Sequence, residues 1–327
     1  MTIKDALEEG KRLLRAPSTS SFIDTSDLDA ALLLSEVLHT TREELITKKD
    51  ESVTEGERKK FLELLERRRS GECIAYIIGR REFRGIEFTV NPGVLVPRPD
   101  TETLVEAALE YIDSWQEKKP GSSAHGTAHD GLSLMDLCTG SGAVAISLKN
   151  ERPVLHVTAS DISPEALETA TLNAARLLDG HLADDIQGSI RKDFTTTAQK
   201  AHEGKRKQYH YISFIQSDLF ENIAGKFNII VSNPPYIPTG IIDTLQPEVR
   251  REPRLALDGG GDGLDLIRKI ISQAPEHLSP GGILLLEAAP EQMPIIRTLL
   301  EKEHFNNIKI HKDLSDCERV ISAHFSF

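Results

Sequence analysis

Four residues, Asn233-Pro234-Pro235-Tyr236, stand shortly after the apolar run Ile229-Ile230-Val231. At ordinary residue frequencies this tetrapeptide arises by chance in roughly one chain per thousand of this length, so it is worth reading chemically. Two prolines remove two N–H donors and fix φ, which leaves rigid carbonyls free to point outward. The Asn233 side-chain oxygen and the Pro234 carbonyl can together accept both hydrogens of a planar –NH2 group. Pro235 stiffens the same loop, and Tyr236 offers an aromatic face on which a planar group can stack. The bland alternative is a rigid turn after a strand.

A second constellation decides between these readings. Asp136-Leu137-Cys138-Thr139-Gly140-Ser141-Gly142 sits where a strand ends and a helix begins. Glycines there let the backbone turn tightly, and the helix N-terminus offers unpaired N–H groups to a ligand. Ala145 takes the last small position of the G-x-G-x-x-G/A fingerprint, so the loop alone does not separate a dinucleotide from S-adenosylmethionine. The next strand ends at Asp161, about twenty positions on, where a carboxylate can accept from both ribose hydroxyls. The third ends at Asp218-Leu219, where a carboxylate can accept from an adenine amino group. Each acid alone could be a helix cap, but three such sites at successive strand ends favour a nucleotide-type cofactor beside the planar-nitrogen holder. With a sulfonium donor, in-line transfer would draw its acceleration from positioning and electrostatics.

These residues need a scaffold that brings strand ends to one edge. From residue 132 strands and helices alternate: LSLMDL, VLHVTASD, YISFIQSD, KFNIIVSN and GGILLLEAA read as strands, with helices opening at Gly140, Pro164 and 263 and another running through Leu300. IKIHKDL and RVISAHFSF follow as two consecutive strands, which predicts an antiparallel edge on a doubly wound, parallel-rich sheet. Residues 1–70 read as short amphipathic helices forming a bundle, with Asp27 as one cap and Thr54/Glu57 as a capping box. Between them, Phe83, Ile86, Phe88 and Val90, the turn residues Asn91-Pro92-Gly93 and then Val94-Leu95-Val96 fit a β-hairpin linker, and Thr101–Trp115 a helix. Polar stretches at 116–131 and 179–209 interrupt the order as surface insertions.

Composition narrows the partners. The 327 residues carry a formal net charge of −12. Residues 1–100 hold 17 Lys+Arg against 19 Asp+Glu, and the remainder 22 against 32. An acidic C-terminal part argues against wrapping nucleic acid. Residues 58–84 are the local exception, with nine basic and four acidic residues, either a solvated helix face or a docking patch. No apolar run reaches membrane-spanning length and no secretory signal is visible, so a cytoplasmic location is expected. Cys73, Cys138 and Cys317 are scattered and fit reduced thiols, and the His125/His129 pair reads as a solvated loop, so no metal is expected.

Val96-Pro97-Arg98-Pro99-Asp100-Thr101-Glu102, DLCTGSGAVAISL, NPPYI, EPRLALDGGGDGLDLIRKI and PGGILLLE together resemble the HemK/PrmC protein-(glutamine-N5) methyltransferases. The resemblance spans nearly the whole chain outside the two insertions. It implies a seven-stranded, Rossmann-like class I methyltransferase domain over 101–327, a helical substrate-recognition domain over 1–78 and a β-hairpin linker over 79–100. It further implies methylation of the glutamine of the Gly-Gly-Gln motif in class 1 peptide chain release factors, with S-adenosylmethionine becoming S-adenosylhomocysteine. Carried over by position, the cofactor residues fall on Cys138, Thr139, Gly140, Ser141, Gly142, Asp161, Asp218, Leu219 and Asn233. Catalysis falls on Asn233, Pro234 and Tyr236. The substrate residues are Asn233 to Tyr236 with Arg98, and the loop at Glu252-Pro253-Arg254 lines the peptide groove. A monomer without direct DNA binding is expected. The chain departs from the family pattern at Glu287-Ala288-Ala289-Pro290, where a glycine is usual, and at DLSDCERV, where another is missing. The alternative is a DNA or RNA amino-methyltransferase, because base amines are planar –NH2 groups too.

Overall fold

The computed structural model describes residues 1–16, 25–117, 131–178 and 211–325. The two insertions lie outside these residues except for 116, 117 and 131, as do His125 and His129. The chain divides into two compact units, one of Met1–Arg80 with Asp243–Glu252, the other of Arg81–Ile242 with Pro253–Phe327.

The first unit is helical: α1 (Ile3–Arg15), α2 (Ser26–Leu38), α3 (Arg42–Thr47), α4 (Glu55–Arg69) and α5 (Ile74–Ile78). Three helices begin with reciprocal capping boxes, Thr2/Asp5, Thr41/Glu44 and Thr54/Glu57, in which the threonine and the acid each satisfy a backbone N–H. Asp27 is not a cap. It lies inside the first turn of α2, where Arg15 pairs with it at 2.7 Å. The helices bury Leu14, Leu33, Leu34, Phe61 and Leu65 against one another. The basic run at 58–84 is largely neutralised: Arg58, Arg67, Arg68, Arg69, Arg80 and Arg84 all hold carboxylate partners. Internal ion pairing, not an open cationic face, is what most of that charge serves.

The second unit begins with a hairpin, β1 (Arg80–Phe83) and β2 (Ile86–Thr89). Its turn is Arg84-Gly85, with φ of +51° and +71°, the two-residue geometry that matches strand twist. The expected turn at Asn91-Pro92-Gly93 comes after the hairpin, and Val94 and Val96 are buried without pairing as a strand. A helix α6 (Glu102–Glu117) leads to a seven-stranded sheet. Its strands are β3 (Ser133–Leu137), β4 (His156–Asp161), β5 (Ile212–Gln216), β6 (Phe227–Ser232), β7 (Leu278–Glu287), β8 (Phe305–Lys312) and β9 (Glu318–Phe325), in spatial order β5-β4-β3-β6-β7-β9-β8. Strands β3 to β7 pair in parallel. The antiparallel strand is β9, inserted between β7 and the edge strand β8. Helices α6, α7 (Ala143–Glu151) and α8 (Pro164–Leu178) cover one face through Leu104, Ile112 and Ile146; α9 (Asp265–His277) and α10 (Met293–Lys302) cover the other through Ile267, Ile271 and Ile296. Burial on both faces explains the near-continuous apolar reading of the central strands. No described helix is long and apolar enough to cross a membrane.

Candidate active site

Register assembles the site. Leu137 of β3 pairs with Ser160 of β4 and with Ser232 of β6, and Asp161 pairs with Gln216 of β5. Four parallel strands therefore end at one level, and the residues just beyond them share one edge, the place where ligands bind in open α/β sheets. A cavity there is lined by Cys138, Gly140, Asp161, Asp218, Leu219, Asn233 and Pro235. Thr139, Ser141, Gly142, Pro234, Tyr236 and Arg98 do not line it. Of these, Thr139, Ser141, Arg98 and Tyr236 hold neighbouring loops through hydrogen bonds.

The glycine loop is rigid by construction. Thr139 Oγ1 donates to Asp136 at 2.7 Å, and the Ala145 N–H reaches the same carboxylate oxygen at 3.2 Å. Burial pushes Asp136 up to about 7 against those two donors, and the nearby Asp161 charge acts in the same direction. Ser141 gives its carbonyl to Asn173 Nδ2 at 3.0 Å. Gly142, with φ of +82°, precedes α7, which starts there and not at Gly140. A Cβ on Gly142 would lie 2.8 Å from Ile146 and 3.2 Å from Ala170, so only glycine lets loop and helix α8 approach this closely. Burial pushes the Cys138 thiol far up, so it is a neutral wall and not a nucleophile.

Asp161 bridges two backbones. Its Oδ2 accepts from Gly140 N at 2.9 Å and its Oδ1 from Ser163 N at 3.0 Å. Burial raises its pKa, and the backbone donors of Ser163, Gly140 and Ile162 oppose that. Ile162, 44% exposed, Leu219 and Ala166 form an apolar slot beside the carboxylates. Gly93-Val94-Leu95, which sequence reasoning assigned only to the hairpin, line the same cavity.

Asn233 Nδ2 donates to Thr101 Oγ1 at 3.0 Å, which leaves Oδ1 as the carboxamide's remaining acceptor. Thr101 stands at the start of α6. Arg98 contributes its carbonyl there, accepting from Thr101 N at 3.1 Å. Asp100 is tied to Arg319 of β9 at 3.0 Å, and Arg319 also holds Asp313 at 2.8 Å. Tyr236 packs on the apolar face shared with α9 and α10 and directs its hydroxyl to Glu287 Oε1 at 3.3 Å. Glu287 is 1% exposed. Burial pushes it up to about 7 against the hydroxyls of Thr101 and Tyr236.

A second loop holds the first. Ile237 N donates to Leu257 O and Gly259 N returns to Ile237 O, both across a short parallel bridge at Ile237 and Asp258. A Cβ on Gly259 would sit 2.7 Å from Pro235 O and 2.8 Å from Tyr236 Cα, so the contact demands glycine. Gln292 Nε2 donates to Tyr236 O at 2.9 Å and reaches the carbonyls of Asp262 and Gly263. Sequence reasoning missed Thr101 and Gln292 as supports. The glycine run 259–261 was visible, but its reason, a backbone crossing, was not. Of Glu252-Pro253-Arg254, Pro253 lines the cavity and Glu252 is buried. The two missing glycines have local replacements: Ala288 is buried with its N–H on Arg319 O, and Asp316 takes the left-handed conformation (φ +65°) in a turn organised by Asp313.

A family model described as PrmC N-terminal domain matches residues 5–79. A release factor glutamine methyltransferase of Burkholderia pseudomallei is 37% identical over 321 residues, covering 98% of this chain and 97% of the relative. Another, of Neisseria gonorrhoeae, is 38% identical over 293 residues, covering 90% and 91%. Among solved structures, the release factor-specific protein-(glutamine-N5) methyltransferase of Alicyclobacillus acidocaldarius is 25% identical, with a TM-score of 0.36, covering 73% of this chain and 100% of that one. Sequence identity of this depth along almost the entire length, over a glycine loop, strand-end acids and an Asn-Pro-Pro-Tyr loop that meet at one sheet edge, leads to a plain conclusion: the chain belongs to the release factor glutamine methyltransferase family.

Proposed function

We propose that this protein methylates the side-chain amide nitrogen of the glutamine in the Gly-Gly-Gln motif of class 1 peptide chain release factors, with S-adenosylmethionine as donor. One observation carries the reading. Asn233 lines the cavity with one Nδ2 hydrogen engaged by Thr101, which leaves Oδ1 as an acceptor beside the cofactor edge.

The donor set fits the cofactor. Asp161 and Asp218 are acceptors suited to vicinal hydroxyls and an amino group, and Ile162, Ala166 and Leu219 suit a flat apolar ring. When bound, S-adenosylmethionine supplies an electrophilic methyl group. Asp161 would hold the ribose, and Asp218 with Leu219 the base edge. The backbone from Cys138 to Gly142 would form the floor. Asn233 Oδ1 at the cavity and, from the loop beside it, the Pro234 carbonyl would accept the two amide hydrogens, hold the nitrogen in one plane and bind the developing positive charge better than the neutral amide. Tyr236 keeps that loop in place. An amide nitrogen is a poor nucleophile, and such differential binding is the help it needs.

We assign release-factor recognition to residues 1–78, the linker to 79–100 and transfer to 101–327, acting in the cytoplasm as a monomer. Arg98 and the loop at 252–254 are placed at the peptide groove on the strength of the resemblance. Labelled S-adenosylmethionine incubated with a release factor or with duplex DNA tests the reading. Label on the release factor is expected; label on DNA alone would replace the proposal with base methylation.

A further inference from the structure

The segment Gly93-Val94-Leu95 lines the cofactor cavity, yet it follows a two-stranded hairpin, a unit that is only marginally stable by itself. Helix α8 holds it there. Thr169, Asn173 and Arg176, spaced along one face of that helix, reach the chain at Asn91, Thr89 and Glu87, which are alternate residues. Asn91 Nδ2 donates to Thr169 Oγ1 at 2.9 Å, and Asn91 Oδ1 accepts from Gly93 N at 2.8 Å. The Thr169 hydroxyl gives its own proton to Glu165 O at 3.0 Å, so it meets Asn91 as an acceptor. Arg176 donates to Glu87 O. A Cβ on Gly93 would lie 3.2 Å from Glu165 Cβ, so the segment rests directly on the helix.

Asn173, the middle rung, has a further partner. It is 0% exposed. Its Oδ1 accepts from Thr89 N at 2.8 Å, and its Nδ2 donates to Thr89 O and to Ser141 O, each at 3.0 Å. One N–H and two carbonyls around a single carboxamide admit only this orientation. Ser141 belongs to the glycine loop, whose Gly140 lines the cavity, and Thr89 leads into Gly93-Val94-Leu95, which line it too. We propose that Asn173 is a positioning residue for S-adenosylmethionine: its carboxamide locks the linker to the glycine loop and so keeps two parts of the cofactor cavity at a fixed distance. Asn173 does not line the cavity itself; it acts through Thr89 and Ser141. This rests on the cofactor assignment above and not on which nitrogen is methylated.

The test uses the full chain and calorimetry with S-adenosylmethionine. Asn173→Asp keeps the volume and the acceptor for Thr89 N but turns an oxygen toward two carbonyls. Asn173→Leu removes all three bonds, and Thr169→Val loosens the linker while Ser141 O stays held. Asn173→Asp and Asn173→Leu should each weaken cofactor affinity about tenfold or more, the scale of one lost buried hydrogen bond, and Thr169→Val less than about threefold. On a release factor, the KM for S-adenosylmethionine should rise by the same factor while kcat at saturating cofactor stays within about threefold. Mere loss of folded protein would instead lower kcat and the calorimetric stoichiometry. Hydrogen exchange gives a second readout: the cofactor should slow exchange at Thr89 N–H in the native chain and in Thr169→Val, but not in Asn173→Leu, because coupling between two places is reciprocal. Native affinity in Asn173→Asp or Asn173→Leu, an equal loss in Thr169→Val, or a native Thr89 N–H indifferent to cofactor would overturn the proposal. A native chain that binds S-adenosylmethionine with this exchange signature but leaves the release factor unlabelled would sink the functional reading and sustain the positioning one.

Discussion

At the scale of single residues, the site separates groups that line the cavity from groups that hold them in place. Asn233 lines the cavity, whereas Tyr236 and Thr101 do not. In the proposed mechanism, replacing Asn233 by alanine removes one of two acceptors from the transition state. Loss of one such preorganised partner typically costs about 100- to 1000-fold in kcat. Calorimetry should show S-adenosylmethionine affinity reduced far less, because Asp161 and Asp218 remain; equal losses would contradict the assigned role. Glu287 gives a stability prediction with a definite sign. Burial raises its folded pKa to about 7, above the ordinary carboxylate value, with the hydroxyls of Thr101 and Tyr236 and the Arg319 charge opposing and Asp100 assisting. A raised carboxyl contributes stability that is full below its unfolded pKa and is lost as pH rises through 7. Glu287→Gln mimics the protonated form, so its melting temperature should match the native chain at low pH and exceed it at pH 8. A native chain more stable than Glu287→Gln at pH 8 would show that the ionised carboxylate is better satisfied than its surroundings imply.

At the scale of elements, the cavity exists because four parallel strands end in register and two loops cross beyond them. Gly259 is one close point of that crossing. Gly259→Ala should lower both melting temperature and turnover, because its methyl group would displace the Pro235 and Tyr236 backbone; unchanged turnover would mean that the Asn233–Tyr236 loop is not held from this side. Much of this level was legible beforehand. The alternation of apolar runs gave all seven strands, and Ser163-Pro164 marked the start of α8, where Ser163 Oγ does accept from Ala166 N at 3.1 Å. Other features were not. The hairpin turn was misplaced because Asn91-Pro92-Gly93 carries stronger turn chemistry than Arg84-Gly85, yet only the latter lies between residues that pair. Asp27 read as a cap because local sequence does not reveal that Arg15 takes its carboxylate. Thr101, Glu287 and Gln292 were silent because their value comes from partners more than fifty positions away.

At the scale of the whole molecule, the chain makes an excursion that composition does not announce. Asp243–Glu252 leaves the second unit just after the Asn233–Tyr236 loop and packs within the first, where Glu248 accepts from Arg68 at 2.8 Å. Arg68 is itself buried and paired with Asp29 at 2.6 Å, so the segment is tied to a satisfied charge cluster and not to solvent. The acidic balance of residues 101–327 and the ion-paired arginines of 58–84 both turn the functional reading away from nucleic acid and toward a protein substrate. Which nitrogen is methylated is the question on which all the residue roles depend. The most direct measurement is peptide mass spectrometry of a release factor after incubation with this protein and S-adenosylmethionine, beside the same factor with its Gly-Gly-Gln glutamine replaced by alanine. One added methyl group on that glutamine side chain, and none on the alanine variant, is the expected result; methylation that persists in the alanine variant would contradict the assignment.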